Sequence, residues 1–430
     1  MIASQLSDVL KIYHQGLNVF PYWTDELIEK WEKETISLLE KVQQGLTLNV
    51  FYKELQQLSS MLEDGHTLIY LPDKIKAELT YSPVSFRAIE GQLVIDAANH
   101  PWSDFMYQPI KDINQMSVNE FLDEVGKRYW RNSINLSLKM AQGSYAFLFQ
   151  TTSFLIEFEN GQQINIPFVF DRPAFNKSYQ ASLGEDYRVF LEEEAISIYQ
   201  VGNKALVKLR HFMSEEMVSL FYEYVPMYLE SEELIFDVRD NGGGNSCLAD
   251  AITQAFYEGE FETEQVSTQV IDGGDIASGM ILMTQEYQPE NESDNELLKM
   301  VKMLGHQYLE TRIETTHYEA YKGLLKELPV TILQDELTYS SAENFVINFA
   351  NTGRATIIGF PTAGSTGQPA VFSLKTGGLF LVTAKKVAFP SGKKHHNVGV
   401  KPDTQLTNSL EDYQHQLDTV LAYALKRSIK

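Results

Sequence analysis

Val330-Thr-Ile-Leu-Gln-Asp-Glu-Leu-Thr-Tyr-Ser-Ser-Ala-Glu-Asn-Phe345 is the stretch on which the reading of this chain turns. Its β-branched opening, Val330 to Leu333, reads as a buried strand. A short polar loop follows, and then Phe345, Val346, Phe349 and Ala350 recur on one helical face. Ser340 stands where the loop becomes helix. Unpaired backbone N–H groups lie beside it and the positive end of the helix dipole lies behind it. A hydroxyl so placed can attack a carbonyl and have the resulting oxyanion stabilised. The same residues also spell a capping box, Ser340-x-x-Glu343, in which the serine only caps the helix and Glu343 reaches back to it. Taken alone, the stretch favours the cap.

The strand–turn–helix pattern recurs on both sides. Upstream, Ile196 to Val201 and Ala205 to Leu209 read as strands, and Ser214 to Val225 as an amphipathic helix. Leu234-Ile-Phe-Asp-Val238 reads as a buried strand that runs into Arg239-Asp-Asn-Gly-Gly-Gly-Asn245 and a helix from Ser246 to about Tyr257. Downstream, Ala355 to Ile358 leads into the loop Gly359 to Gln368. A hairpin of Val371–Leu374 and Gly378–Phe389 and a helix over 410–426 follow. Repeated units of this kind predict an α/β fold with a largely parallel sheet and functional loops at the strand carboxyl ends. The acidic segment of about 259–328, with a helical stretch from Asp294 to Thr311, is too long for a connection and reads as an insertion or lid.

The first part of the chain differs. Residues 1–75 read as helices ending in Asp64-Gly65-His66-Thr67 and an apolar run to Leu71. Residues 76–180 switch to short alternating strands with turns at Gly91 and Asn160-Gly161, a small β-rich module of the PDZ sort. The remainder, 181–430, is the α/β domain.

Composition excludes several classes of function. A net charge of −23 repels phosphate backbones and anionic membrane surfaces, so nucleic acid is not an expected partner. A single cysteine, Cys247, leaves no intramolecular disulfide and no cysteine-based zinc site. There is neither G-x-G-x-x-G nor a Walker lysine, so no nucleotide cofactor is expected, and no metal. No apolar run approaches the ~18–20 residues of a membrane span. The start lacks the pattern of a signal peptide, so a cytoplasmic location is the expectation.

Four stretches in order resemble the C-terminal-processing (tail-specific) serine peptidase family: Asp237-Val-Arg-Asp-Asn-Gly-Gly-Gly244, Thr338-Tyr-Ser-Ser-Ala-Glu343, Gly353 to Gly364, and Gly399-Val-Lys-Pro-Asp403. Asp64-Gly-His-Thr67 adds a fifth. The resemblance implies a crotonase/ClpP-like spiral of strand–turn–helix units and a serine endopeptidase acting on unfolded or C-terminal peptide segments. It makes Ser340, three before the Glu, the nucleophile. Where the Ser–Lys branch carries its lysine, this chain has Ser365, so it is similar instead to the tricorn core protease and retinoid-binding-protein-like branch, with His66 as base. That branch's supporting Glu falls at His396 here. Backbone N–H groups of Gly242, Gly243 and Ser341 are the implied oxyanion donors, and Gly65, Asp64, Ser365, His396 and Glu343 the supporting candidates. A peptide or unfolded protein is the implied partner, and a homo-oligomer is compatible with it.

The chemistry is coherent. A serine hydroxyl is a weak nucleophile at neutral pH and needs a base in hydrogen-bond reach, a role a neutral imidazole fills. The rival expectation is a catalytically inactive binding module on the same fold, holding a peptide or apolar ligand. A shared fold does not fix function.

Overall fold

A computed structural model describes residues 1–129, 132–175, 177–178, 187–269 and 309–427. The chain divides into two compact units: Met1–Ala77, Gln265–Ile313 and Gly367–Ala388 form one, and Glu78–Glu264, Glu314–Thr366 and Phe389–Lys430 the other.

In the smaller unit the expected helices are Ile2–Val19, Asp25–Gln43 and Leu48–Ser60. Thr24 and Thr47 start the second and third, each hydroxyl accepting an N–H three residues on. Trp31, Leu38, Val42, Phe51, Tyr52 and Leu55 are buried. Strand Leu68–Tyr70 pairs antiparallel with Leu379–Thr383, which pairs with Pro369–Ser373. The hairpin tip is held by a buried acid: Asp8 accepts the N–H of Lys375 (2.6 Å) and of Thr376 (2.9 Å) and the Thr376 hydroxyl (2.7 Å). The expected long second arm, Gly378–Phe389, is two strands, because Lys386–Ala388 leaves the hairpin to pair with Gln265–Ser267.

The larger unit is built on a seven-stranded sheet. Its order is Thr404–Gln405, Thr356–Gly359, Val330–Gln334, Glu233–Asp237, Lys204–Leu209, Ile196–Val201 and Tyr187–Glu192. The first five are parallel and the last two antiparallel. Glu233–Asp237 and Val330–Gln334 are buried along their whole length, as central strands covered on both faces must be. One face packs Leu234, Phe236 and Ile332 with residues of helices Glu216–Glu223, Ser246–Thr253 and Ser341–Ala350. The other packs Ile235, Leu333 and Ile358 against Val420, Leu421 and Ala424 of helix Thr419–Lys426.

The terminal helix expected over 410–426 is interrupted. Leu410–Gln414 ends, and Asp418 restarts the helix by accepting the N–H of Leu421 (2.9 Å). The β-rich segment falls in this larger unit as two small sheets around Phe86, Phe121, Tyr145 and Phe154. Of the insertion, its described ends are strands Phe261–Gln269 and Leu309–Thr316 of one sheet. The helix expected over Asp294–Thr311 lies outside the described residues except for Leu309–Thr311, which open the second strand. Among the described residues no helix is long and apolar enough to cross a membrane.

Candidate active site

Two loops at the carboxyl ends of neighbouring parallel strands are stitched together around Ser340. After strand Glu233–Asp237, burial alone would raise the Asp237 carboxyl. The Arg239 guanidinium, bound through Nε and Nη2 at 2.8 Å each, instead brings it down to about 2. Arg239 also holds Asp418 through Nη1 (2.9 Å) and Nη2 (2.7 Å), so the loop start is anchored to the last helix. Asn241, fully buried, then works in three directions. Its Nδ2 donates to Leu209 O (3.0 Å), its Oδ1 accepts the Gly243 N–H (2.9 Å), and its carbonyl accepts the Tyr339 N–H (3.0 Å). After strand Val330–Gln334, Asp335 accepts the N–H of Asp240, and the Ser341 hydroxyl donates to Gly244 O (2.7 Å).

Gly243 has φ +88, and a Cβ there would meet Ser340 Cβ, Ser341 N and Tyr339 O at 2.7 Å each. The glycine loop can lie against the serine turn only without a side chain. Gly243→Ala is therefore expected to destabilise the protein by about 3 kcal/mol, read from the shift of the urea midpoint.

Ser340 itself is held at φ +58, ψ −124, outside the helix that begins at Ser341, and its side chain makes no capping hydrogen bond. The expected capping box is therefore absent. The positive φ turns the Ser340 N–H away from Glu343 and onto Ser365 O (3.2 Å). A non-glycine residue in that region stores strain, and such residues cluster at functional sites. The Ser341 hydroxyl is spent on the backbone, which separates the roles of the two adjacent serines.

Glu343 is fully buried and serves the next loop instead. Its Oε1 accepts the Thr362 hydroxyl (2.5 Å), the Gly364 N–H (2.6 Å) and His395 Nε2 (3.2 Å). Its Oε2 accepts the Ser365 N–H (2.7 Å). Burial acts to raise the Glu343 carboxyl and to lower the His395 imidazolium. The facing charges win in both, so the carboxyl sits below its ordinary value and the imidazolium above it, with Glu264 adding to the latter. His395 Nδ1 is buried with no partner among the described residues.

Of the residues singled out from sequence, the larger unit thus gathers Ser340, Ser341, Gly242 and Gly243 where two loops are stitched, with Glu343 on the helix that follows and Ser365 on the next loop. It adds Thr362, Gly364 and His395, which the sequence reading passed over. His396, at the expected place of a supporting carboxylate, is buried, but its neighbour His395 is the one that reaches Glu343. The His-His doublet before Asn397 was the available signal.

In the smaller unit, His66 is buried in its turn. Asp64 Oδ1 accepts the His66 N–H (2.9 Å) and the Thr67 hydroxyl (2.9 Å), and also the Thr383 hydroxyl. Asp64 thereby ties the Gly65–Thr67 backbone to the neighbouring strand.

Residues 203–406 match the model of peptidase family S41. That region, together with this fold, supports a serine peptidase. Mature CPAF complexed with lactacystin has the same fold at 14% identity over 96% of each chain, with a TM-score of 0.71. The photosystem II D1 C-terminal processing protease matches at 13% identity over 95% of this chain and 94% of its own, TM-score 0.51. A putative peptidase from Parabacteroides merdae matches at 16% identity over 98% and 95%, TM-score 0.55.

Proposed function

We propose that the chain is a serine endopeptidase that hydrolyses unfolded or C-terminal peptide segments, with Ser340 as nucleophile. The observation that carries this is the backbone of Ser340. A strained serine at a helix start, with its hydroxyl excused from capping, is a side chain placed for attack rather than for stability. His66 is assigned as the base that takes the hydroxyl proton and returns it to the leaving amine. The Gly243 N–H is already engaged with Asn241, so the oxyanion falls to Gly242 and Ser341. Neither of those N–H groups has a partner among the described residues, and Ser341 opens a helix whose dipole favours the negative charge. Asp64 and Gly65 fix the His66 turn, and Ser365 and Glu343 fix the Ser340 turn. The β-rich module, read as PDZ-like, is assigned to holding the end of the substrate.

A fluorophosphonate probe tests the nucleophile. The expected result is a single adduct, mapped to Ser340 by mass spectrometry and absent in Ser340→Ala. A wild type that takes no label and leaves denatured casein intact would return the chain to the inactive binding module. For the base, His66→Ala is expected to lower hydrolysis by at least about 10³-fold. Full activity in that variant would remove His66 and leave the nucleophile standing.

A further inference from the structure

A cavity of about 450 Å³ opens in the larger unit where strands Glu233–Asp237, Val330–Gln334 and Thr356–Gly359 end. Parallel sheets bind ligands at that end, and the volume is in the small-ligand range. The hydrolytic reading assigns the cavity nothing. Its apolar wall includes Ile134, Phe360, Pro361, Leu406 and Val420, and its polar wall Arg87, Arg239, Gln334, Asp335 and Glu336.

The polar groups are unevenly satisfied. Arg87 uses its Nε on Asp96 (3.0 Å), and Arg239 is spent on Asp237 and Asp418. The carboxylates are half used. Asp335 takes the N–H of Asp240, Leu337 and Thr338 and the Thr338 hydroxyl, all on Oδ1, and its Oδ2 has no partner among the described residues. Glu336 takes Asn135 Nδ2 on Oε1 alone (2.8 Å). Gln334, fully buried, donates Nε2 to Phe360 O (2.8 Å) and Val400 O (2.7 Å), and its Oε1 is left without a partner among the described residues. Neither Asp335 nor Glu336 has a cationic partner among the described residues, so the charge not cancelled by a partner is negative. Buried acceptors of this kind call for a donor, and an anion would be repelled.

We propose that this cavity binds an ammonium or guanidinium group carried on a short aliphatic stem. The charged head meets Asp335 and Glu336, and the stem lies along Ile134, Phe360 and Leu406. The head can belong to a free amine or to a lysine or arginine side chain of a peptide; the chemistry is shared. Binding does not depend on the peptidase reading, so it is measured on Ser340→Ala protein as well as wild type.

Calorimetry with n-butylamine and n-butylguanidine is the test, with n-pentanol as the uncharged control and Nα-acetyl-lysine methylamide as the peptide arm. The expected result is that the cations bind at least about tenfold more tightly than pentanol. Asp335→Asn keeps Oδ1 for the loop's donors and is expected to weaken cation binding by about the same factor. Glu336→Gln, which keeps the acceptor for Asn135, is the second variant, and thermal melts of both report folding. A blocked lysine that binds as well as butylamine identifies a peptide as the source; one that does not identifies a free amine.

A further readout comes from protonation. Burial first, then Glu336 and Asp240, push the Asp335 carboxyl up to about 7, opposed by the Asp240 N–H and Arg87, while Lys139 pairs with Asp240. A cation needs that carboxylate ionised. Binding is therefore expected to weaken as pH falls below about 7 and to release protons near it, so the heat varies with the buffer's ionisation enthalpy. Cations that bind no better than pentanol, or variants that bind like wild type, would overturn the proposal.

Discussion

Ser340→Ala lowers peptide hydrolysis by about 10⁴-fold or more while the protein stays folded. Removing the nucleophile of a serine hydrolase leaves only what binding and the oxyanion amides supply, and losses of about 10⁴–10⁶ in kcat are usual. Stability is the discriminating half of the measurement. An N-cap serine replaced by alanine costs about 1 kcal/mol, because a helix N–H loses its acceptor. The Ser340 side chain makes no capping bond, so that cost does not arise. Ser340→Gly sharpens the contrast. At φ +58, ψ −124 glycine carries no Cβ strain, and the substitution is expected to raise stability by about 1 kcal/mol while abolishing activity equally. A stability gain at the cost of activity is the signature of a residue held in a strained conformation for chemistry. Kinetics on a denatured protein substrate and urea midpoints for the three proteins decide it. A Ser340→Gly variant less stable than wild type would show that the serine is there for the helix.

How far the sequence could be read follows from the range of each interaction. Val330–Leu333 and Leu234–Val238 are legible because a strand buried on both faces needs a continuous apolar run, and that is a local property. The choice of Ser340 over Ser341 rests instead on the resemblance, whose motif sets the serine three before the Glu. The capping box failed because four letters specify residue types and not the sign of φ. The strand and loop leading into Ser340 set that sign, through Tyr339 on Asn241 and Ser340 on Ser365. His395 went unread for a longer-range reason: its partner, Glu343, lies 52 residues away, and nothing periodic joins them. The break at His415–Asp418 was hidden in the same way, since the Asp418 carboxylate that restarts the helix is also the partner of Arg239, far upstream. Residues that hold two distant segments together are the ones that local patterning cannot show.

Glu343 is the clearest instance, and its removal is the second large effect expected here. Glu343→Gln keeps the volume but puts an NH₂ where one of two acceptors was. Oε1 serves Thr362, Gly364 and His395, and Oε2 serves Ser365, so either amide orientation faces a donor with a donor. The His395 charge is then buried without its counterion, and breaking a buried pair from one side costs about 3–5 kcal/mol. Activity falls with it, since the Ser365 carbonyl that receives the Ser340 N–H belongs to the loop Glu343 secures. The pair also dictates a pH dependence. Glu343 lies below its unfolded value, so its stabilisation is present above about 4.3 and is lost as pH falls through the folded value. His395 lies above its unfolded value, so its share is full below about 6.5 and is lost as pH rises through the folded value. The ion pair therefore contributes most between about pH 4.3 and 6.5. In His395→Gln, whose amide can still donate to Glu343, the stability deficit relative to wild type is expected to be largest in that window and to shrink toward pH 9. A deficit that stays flat from pH 5 to 9 would mean that His395 is neutral throughout, and that Glu343 secures the Ser340 loop through Thr362 and the two amides alone.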